Sequence, residues 1–330
     1  MKRAEIIAAE ALRTSVPEDM AGLRLDVAAA RLFPDYSRSK LKEWMESGAL
    51  MHNRQRVVRV RDFAKPGDEL ALIVPERDAP RGLHAQALPL AVVYEDRAIA
   101  VINKPAGLTV HPGAGTPDGT LQNALLHRFP QVTAVPRAGL VHRLDKDTTG
   151  LLVVALTAAA HTRLTAMMMS REVRREYDAL VVGILPAGGT VDAAIGRSPH
   201  SRTKMAVMDV PERGRRAVTH YRVAEKFVQH TRLTVQLETG RTHQIRVHLA
   251  HLRHPIVGDP AYGGRAVRNG GLPAELRDQL TAFRRQALHA RELALEHPTT
   301  RKTMSWSAPL PDDFDALLRA LRAHAKAKIR

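Results

Sequence analysis

The sequence predicts an α+β protein of two domains, the larger built on one large mixed sheet. Three observations carry this. From Leu90 onward, strand-like apolar runs recur with helical stretches interspersed among them, which favours a single sheet with helices packed on it. Before that, residues 16–75 carry the pattern of two amphipathic helices and several short strands. Between the two, residues 76–90 contain Pro80, Gly82 and Pro89 with little periodicity, as a linker does. A chain of 330 residues is long enough for two domains with separate cores.

Residues 1–15 read as a short helix or a frayed tail. They are amphipathic, contain Glu5 and Glu10 and lack an apolar signal core, so they are read as neither signal nor transit peptide. In the first domain, 16–75, Leu23, Leu25, Val27, Leu32 and Phe33 supply the apolar positions of a first helix that ends near Pro34. Ser37 is suited to cap a second helix. Leu41, Trp44 and Met45 follow with i, i+3, i+4 spacing, and Gly48 stops it. Strands are expected at 49–52 and 55–60, joined by a turn at Asn53-Arg54. After the turn Lys65-Pro66-Gly67-Asp68 comes a strand at 69–74. In the second domain, 91–330, strands are expected at 91–94, 99–103, 151–156, 177–182, 219–223 and 231–237, with helices at 121–128 and 161–169. Met167-Met168-Met169 reads as buried helix packing, and 323–330 as a basic helix end. There is no internal repeat.

Composition narrows the function classes. Fifty Lys+Arg against 34 Asp+Glu give a net charge of +16, which points to a polyanionic partner. No run of about 18 apolar residues is present, so no membrane span is expected. The absence of cysteine excludes disulfides, thiolate chemistry and thiolate zinc sites, and fits a cytoplasmic location. With only two Trp, five Tyr and six Phe, a platform of stacked aromatics is not expected, so a nucleic-acid partner would be held through phosphates and shape.

The chemistry concentrates in His142-Arg143-Leu144-Asp145-Lys146-Asp147-Thr148-Thr149-Gly150. Apolar runs at 138–141 and 151–156 flank it, which places Asp145 at the edge of a hydrophobic layer with Arg143 and Lys146 beside it. Such a carboxylate is costly as structure and useful in catalysis. Alone, the string would more readily be a strand-end Asx turn closed by Gly150. Further segments accompany it: Asn103-Lys104-Pro105-Ala106-Gly107-Leu108, Val110-His111-Pro112-Gly113, Arg174-Arg175-Glu176-Tyr177, Gly240 to His248, His254-Pro255-Ile256-Val257-Gly258-Asp259, and Gln286 to Ala290.

In this order, and over roughly residues 16–310, these motifs resemble the family of RNA pseudouridine synthases that modify large ribosomal RNA. Residues 16–75 resemble an S4 RNA-binding domain through Arg24-Leu25-Asp26, Ser37-Arg38-Ser39 and the Gly48 to Asn53 hairpin. The S4 pattern usually has Asn-Gly at the hairpin tip, where this chain has Asn53-Arg54. The resemblance implies a catalytic domain with a large mixed, mainly antiparallel sheet. It implies that uridine is isomerised to pseudouridine without redox change, phosphate or cofactor, with Asp145 as the catalytic carboxylate, acting as nucleophile or base on a base taken out of the stack. Arg246, on an arginine strand, would pair with Asp145 and keep it ionised, and Tyr177 would stack on the uracil. Arg143 would fill the gap left by the flipped nucleotide or bind phosphate. Arg241 and His243 would join Arg38, Lys40 and Lys42 as RNA contacts. The implied substrate is large-subunit ribosomal RNA or a pre-50S particle, in the helix 69 stem-loop, and the protein is expected to be a monomer.

Other readings compete. Taken alone, Tyr177 is as readily a core strand tyrosine, Arg246 a solvent-facing strand arginine, and the Arg38, Lys40, Lys42 face a solvated charge run. The histidines at 243, 248, 251 and 254 lack an H-E-x-x-H spacing, and Arg241, Arg246 and Arg253 would repel a cation, so no metal is expected. Gly113, Gly115 and Gly119 miss the dinucleotide-loop spacing, and there is no P-loop. A synthase for other ribosomal or transfer RNA sites, and a non-catalytic RNA-binding assembly factor, are the rival functions.

Overall fold

The computed structural model describes residues 11–329 except 35, 37, 57–61, 74–83, 114, 200, 202, 209–212 and 264–270. It comprises two compact units, Met1–Gly82 and Leu83–Arg330.

The first unit contains β1 (Leu12–Ser15), α1 (Leu25–Leu32), α2 (Arg38–Ser47), β2 (Leu50–His52), β3 (Gln55–Arg56) and β4 (Glu69–Leu72). Its strands pair antiparallel in the order β1-β4-β2-β3. Leu41, Trp44 and Met45 on α2 pack with Leu25, Ala28 and Ala29 of α1 and with Leu50, Leu70 and Leu72 of the sheet. Each large side chain so buried contributes about 2 kcal/mol. Residues 12–15 correct the expected helix or tail. They form a strand in register from Leu12↔Leu72 to Ser15↔Glu69, satisfying backbone groups of β4 that would otherwise lack partners. That partner lies far away in sequence, which is why local pattern missed it. At the hairpin tip, Asn53 (φ 49°) and Arg54 (φ 65°) are both left-handed, as a two-residue hairpin turn requires. Arg54 accepts that conformation at a cost of about 1 kcal/mol. The Asn53 side chain offsets it by donating to Asp68 at 2.8 Å and accepting the Glu69 N–H at 2.8 Å. The Ser37 cap, residues 57–60 of the second expected strand, and 76–83 of the linker lie outside the described residues.

The second unit contains β5 (Ala91–Glu95), β6 (Ile99–Lys104), α3 (Leu121–Arg128), β7 (Thr149–Ala155), α4 (Ala158–Met169), β8 (Arg174–Val182), β9 (Gly189–Asp192), β10 (Ile195–Arg197), β11 (Met205–Val207), β12 (Val218–Lys226), β13 (His230–Leu237), α5 (Gln244–His251), α6 (Ala274–Ala282), β14 (Leu288–Glu296), β15 (Thr303–Ser307) and α7 (Asp312–Ile329). Among the described residues, nine strands form one sheet in the order β5-β6-β7-β14-β8-β13-β12-β9, with β15 also on β14. All neighbours are antiparallel except β7 and β14. The sheet is therefore mixed and mainly antiparallel. β7 is buried along its whole length, because helices cover both faces, and this explains its unbroken apolar run. Leu121 and Leu125 of α3 share a core with Ile102, Leu152 and Val154. Leu164 and Met167 of α4 share another with Val101, Leu151 and Val153. Met169 is exposed, so the methionine triplet is only partly core.

Two expectations are corrected here. Residues 84–90 are not free linker: Gln86 accepts the Gly119 N–H at 2.7 Å, and Asn123 donates to the His84 carbonyl at 2.9 Å. The expected arginine strand is the helix α5. Ile245, Val247 and Leu249 alternate as in a strand, but all of 244–249 is buried, so the alternation marks no exposed face. His243 (φ 57°) turns the chain into the helix. The Gln244 carboxamide, accepting from Thr239 and the Arg241 N–H and donating to Val218 and Thr219, fixes the turn before it.

Candidate active site

Asp145 lies in the turn that feeds β7, where its carbonyl accepts the Thr148 N–H. The approach to that turn is pressed against β7. Leu140 bridges Val154, and His142 Nε2 accepts the Val153 N–H at 3.1 Å. Burial, and then the Arg175 charge, push the His142 pKa down to about 3, so the ring accepts as a neutral group. A side chain at Gly139 would put its Cβ 1.9 Å from the Ala155 carbonyl oxygen, so only glycine permits this approach. Gly150 is under the same constraint on the other edge, where a Cβ would fall 2.2 Å from the Ala290 carbonyl oxygen.

Four residues distant in sequence grip the turn. Lys104, fully buried at the end of β6, donates to the carbonyls of Pro105 (2.7 Å), Leu108 (2.9 Å) and Lys146 (2.8 Å). Burial pushes its pKa down to about 7, against the opposing pull of Asp147 and Asp145. Arg285 donates to the Asp147 carbonyl at 3.3 Å while forked onto Asp313 at 2.7 Å on both arms. Gln286 donates to the Thr148 hydroxyl, and Thr149 pairs with His289 Nδ1 at 2.8 Å.

Arg246 on α5 reaches this turn from 101 residues away, with Nη1 3.0 Å from Asp145 Oδ2. Its other edge is held by Asp259, Nε at 2.7 Å and Nη2 at 2.8 Å. Burial opposes the Arg246 charge, but Asp259 and then Asp145 more than offset it and raise the pKa above the ordinary arginine value. At Asp259, burial pulls the pKa up, and the Arg246 contacts with the Tyr262 and Ala261 N–H groups overcome it, leaving the carboxyl below its ordinary value. His243 Nε2 lies 3.9 Å from Asp145 Oδ1, and its Nδ1 is 2.8 Å from the Tyr262 hydroxyl. Burial lowers the His243 pKa and outweighs the opposing Asp145 charge. Tyr177 on β8 stands in one row with Gly150, Ala290 and Val235 across four adjacent strands. It is nearly buried, and its phenol pKa is raised by burial, less the Arg175 charge and with a further rise from Asp145. The site thus joins an ion-paired carboxylate, a fixed guanidinium and an aromatic ring.

The pattern of the family described as RNA pseudouridylate synthase matches residues 98–251, a span that contains Asp145, Tyr177 and Arg246. Over 311 residues the chain is 52% identical to "Ribosomal large subunit pseudouridine synthase D" of Vibrio parahaemolyticus, covering 94% of each chain. The protein of the same name from Escherichia coli K12 is 50% identical over 312 residues, again 94% of each. The chain belongs to the RNA pseudouridine synthase family. Among solved structures, human RNA Pseudouridylate Synthase Domain Containing 4 is similar with a TM-score of 0.55 and 28% identity, covering 70% of this chain and 93% of that one. Human RNA Pseudouridylate Synthase Domain Containing 1 gives 0.53 and 29%, covering 72% and 97%.

In this pseudouridine synthase the remaining expected residues fall in two places. Near Asp145, Arg143 is exposed with Nη1 3.4 Å from His111 Nε2, which brings the 110–113 loop to the site. Arg241 donates Nε–H to the Arg216 carbonyl at 3.2 Å. In the first unit, Arg38 donates to buried Asp26 at 2.7 and 2.9 Å. Lys40 pairs with Glu43 at 3.2 Å and Lys42 with Glu46 at 3.6 Å. None of these three cations is bare, but the two lysine pairs are exposed and worth little, so they exchange readily. Sequence reasoning assigned no role to Lys104, Asp259, Arg285 or His289. All four lie inside motifs that it quoted or beside them, and their partners lie far away along the chain. Among the described residues no group of three or more His, Asp or Glu is placed to hold a metal ion, and no helix is long and apolar enough to cross a membrane.

Proposed function

We propose that this enzyme isomerises uridines of large-subunit ribosomal RNA, in the helix 69 stem-loop, with Asp145 as the catalytic carboxylate. The substrate reading is supported by relatives at 50–52% identity that are named for the ribosomal large subunit. The observation that carries the chemistry is the Asp145 carboxylate, with one oxygen bonded to Arg246 and the other 3.9 Å from His243. In the reaction the bond from N1 of uracil to the sugar breaks, the ring turns, and a bond from C5 to the same sugar carbon forms. The C5 proton is lost and N1 gains one, so the product is an isomer and no cofactor is consumed. Asp145 acts as nucleophile or base on the extruded nucleotide, and Tyr177 stacks on the uracil. Arg143, Arg241 and His243 hold the RNA around it. Residues 16–75 act as an S4-like RNA-binding domain through Arg38, Lys40 and Lys42, and the enzyme works as a cytoplasmic monomer on free RNA or a pre-50S particle.

The test is pseudouridine mapping of total RNA from cells lacking the protein and from the same cells supplied with wild type, Asp145→Asn or Asp147→Asn. Wild type and Asp147→Asn should restore the same ribosomal sites, and Asp145→Asn none. Restoration by Asp145→Asn would remove the catalytic assignment, and sites confined to transfer RNA would remove the ribosomal one.

A further inference from the structure

We infer that Asp259 is a positioning residue of the reaction, whose buried carboxylate holds one edge of Arg246 so that a single guanidinium nitrogen is presented to Asp145. The inference rests on Asp145 being the catalytic carboxylate. An arginine facing one carboxylate tends to close a fork of two parallel N–H···O bonds across both oxygens. Here that fork is spent on Asp259, through Nε at 2.7 Å and Nη2 at 2.8 Å. Only Nη1 remains for Asp145, and it touches Oδ2 alone. Oδ1 keeps its lone pairs, with His243 Nε2 no closer than 3.9 Å. The arrangement orients Asp145 and gives it a cationic partner without tying up both of its oxygens.

Asp259 is itself fixed. Its side chain is fully buried, and Oδ1 also accepts the N–H groups of Ala261 (2.9 Å) and Tyr262 (3.0 Å). The turn that delivers it passes through Gly258 (φ 74°), where a Cβ would meet the Arg285 carbonyl oxygen at 2.2 Å. The Tyr262 ring lies under the guanidinium, 5.1 Å from its carbon, and the Tyr262 hydroxyl holds His243. Arg246 is therefore limited on its edge by Asp259 and on its face by Tyr262. A guanidinium released from Asp259 would be free to rotate its fork onto Asp145.

The test uses the full chain, a ribosomal stem-loop RNA, single-turnover rates and equilibrium binding. Asp259→Asn keeps the size and hydrogen-bonding shape and removes the charge. The expected result is a rate lowered at least about 30-fold, or roughly 2 kcal/mol in barrier, with RNA affinity within about twofold of wild type. In an Arg246→Ala background Asp259→Asn should cost no further rate, because its effect passes through Arg246. A purely structural role predicts instead that the losses multiply and that affinity falls with rate. Asp259→Glu keeps the charge but shifts the fork, and should lose less than Asp259→Asn. A rate for Asp259→Asn within threefold of wild type, or an equal loss in the Arg246→Ala background, overturns the inference. So does failure of both Asp259 variants to fold, which would make the residue a determinant of the fold. Asp145→Asn in the same assay separates the two readings: activity there removes the catalytic assignment itself, whatever Asp259 does.

Discussion

Arg246→Lys preserves charge and should still disable the enzyme. Arg246 makes three charge-assisted hydrogen bonds, two to Asp259 and one to Asp145. A lysine ammonium is a point donor and cannot hold two carboxylates on opposite edges in fixed directions. Asp259, with no exposed side-chain surface, competes for it better than Asp145, which is 15% exposed and has access to water. The ammonium therefore settles on Asp259, and Asp145 loses its cationic partner. One charged hydrogen bond is worth about 1.5–3 kcal/mol. Losing it from the reacting geometry lowers the rate about 10-fold to 150-fold. Loosening of the Asp259 contact places the result toward the larger end. The assay is single-turnover pseudouridine formation at saturating enzyme, with RNA affinity measured separately. A rate within threefold of wild type would refute the argument that the guanidinium fork matters. A loss confined to affinity would move Arg246 from the reacting centre to RNA binding.

Three further outcomes are expected. Tyr177→Phe should retain most of the single-turnover rate and Tyr177→Ala should lose it, since stacking needs the ring and not the hydroxyl; equal rates for the two would remove the stacking role. A truncated chain beginning at Leu83 should bind a ribosomal stem-loop more weakly, with a salt dependence flatter by roughly two log–log units if three phosphate contacts are lost at about 0.7 each; coincident slopes would mean that the Arg38, Lys40, Lys42 face is only solvated. Burial pushes the pKa of His230 down to about 4, so below pH 6.5 the unfolded chain takes up a proton that the folded chain refuses, and stability falls as pH drops toward 4, by on the order of 3 kcal/mol. Urea unfolding at pH 7 and pH 4.5 should show His230→Leu losing less than wild type on acidification, and parallel losses would contradict the reasoning.

How far the sequence could be read depended on whether a signal was local. α3 occupies the expected residues 121–128, and in the structure Thr120 and Asn123 form a reciprocal cap at its start. β6 and β7 were legible as apolar runs, and Asp145 as a carboxylate between such runs. α5 departs from the arginine strand that the resemblance implied: residues 244–249 are all buried, and the β-branched Ile245 and Val247 give no local signal in favour of a helix. β14 was missed for the opposite reason: His-Ala-Arg-Glu-Leu-Ala-Leu-Glu has helix-favouring composition, and only pairing with β7, β8 and β15 makes it a strand. Asp259 drew no role from the sequence, because nothing local shows that it faces Arg246 thirteen positions earlier.

Those missed residues share one task. An isomerisation carried by one carboxylate, as proposed for Asp145, asks little of the protein in reagents and much in placement, because proximity and orientation supply the rate only when reacting atoms are held to fractions of an ångström. A turn is a poor platform for that unless the surrounding structure fixes it. Lys104 directs its Nζ at three backbone carbonyls, one of them in the turn itself, and so ties the Asp145 loop to the end of β6. Arg285 does the same from the β14 side while anchored on Asp313 of α7. Each of these cations is buried or nearly so, where it would be costly without its partners. Neither is placed to compete with Arg246 for the Asp145 oxygens, since Lys104 addresses main-chain carbonyls and Arg285 reaches the turn through the Asp147 carbonyl. Loop position and carboxylate orientation are thus governed by different residues, the first by Lys104 and Arg285, the second by Arg246 and Asp259. Damage to either pair should cost stability, since both hold buried charges to their partners; in chains that remain folded, damage to the first should misplace the loop and damage to the second misdirect the carboxylate, and both should lower the rate.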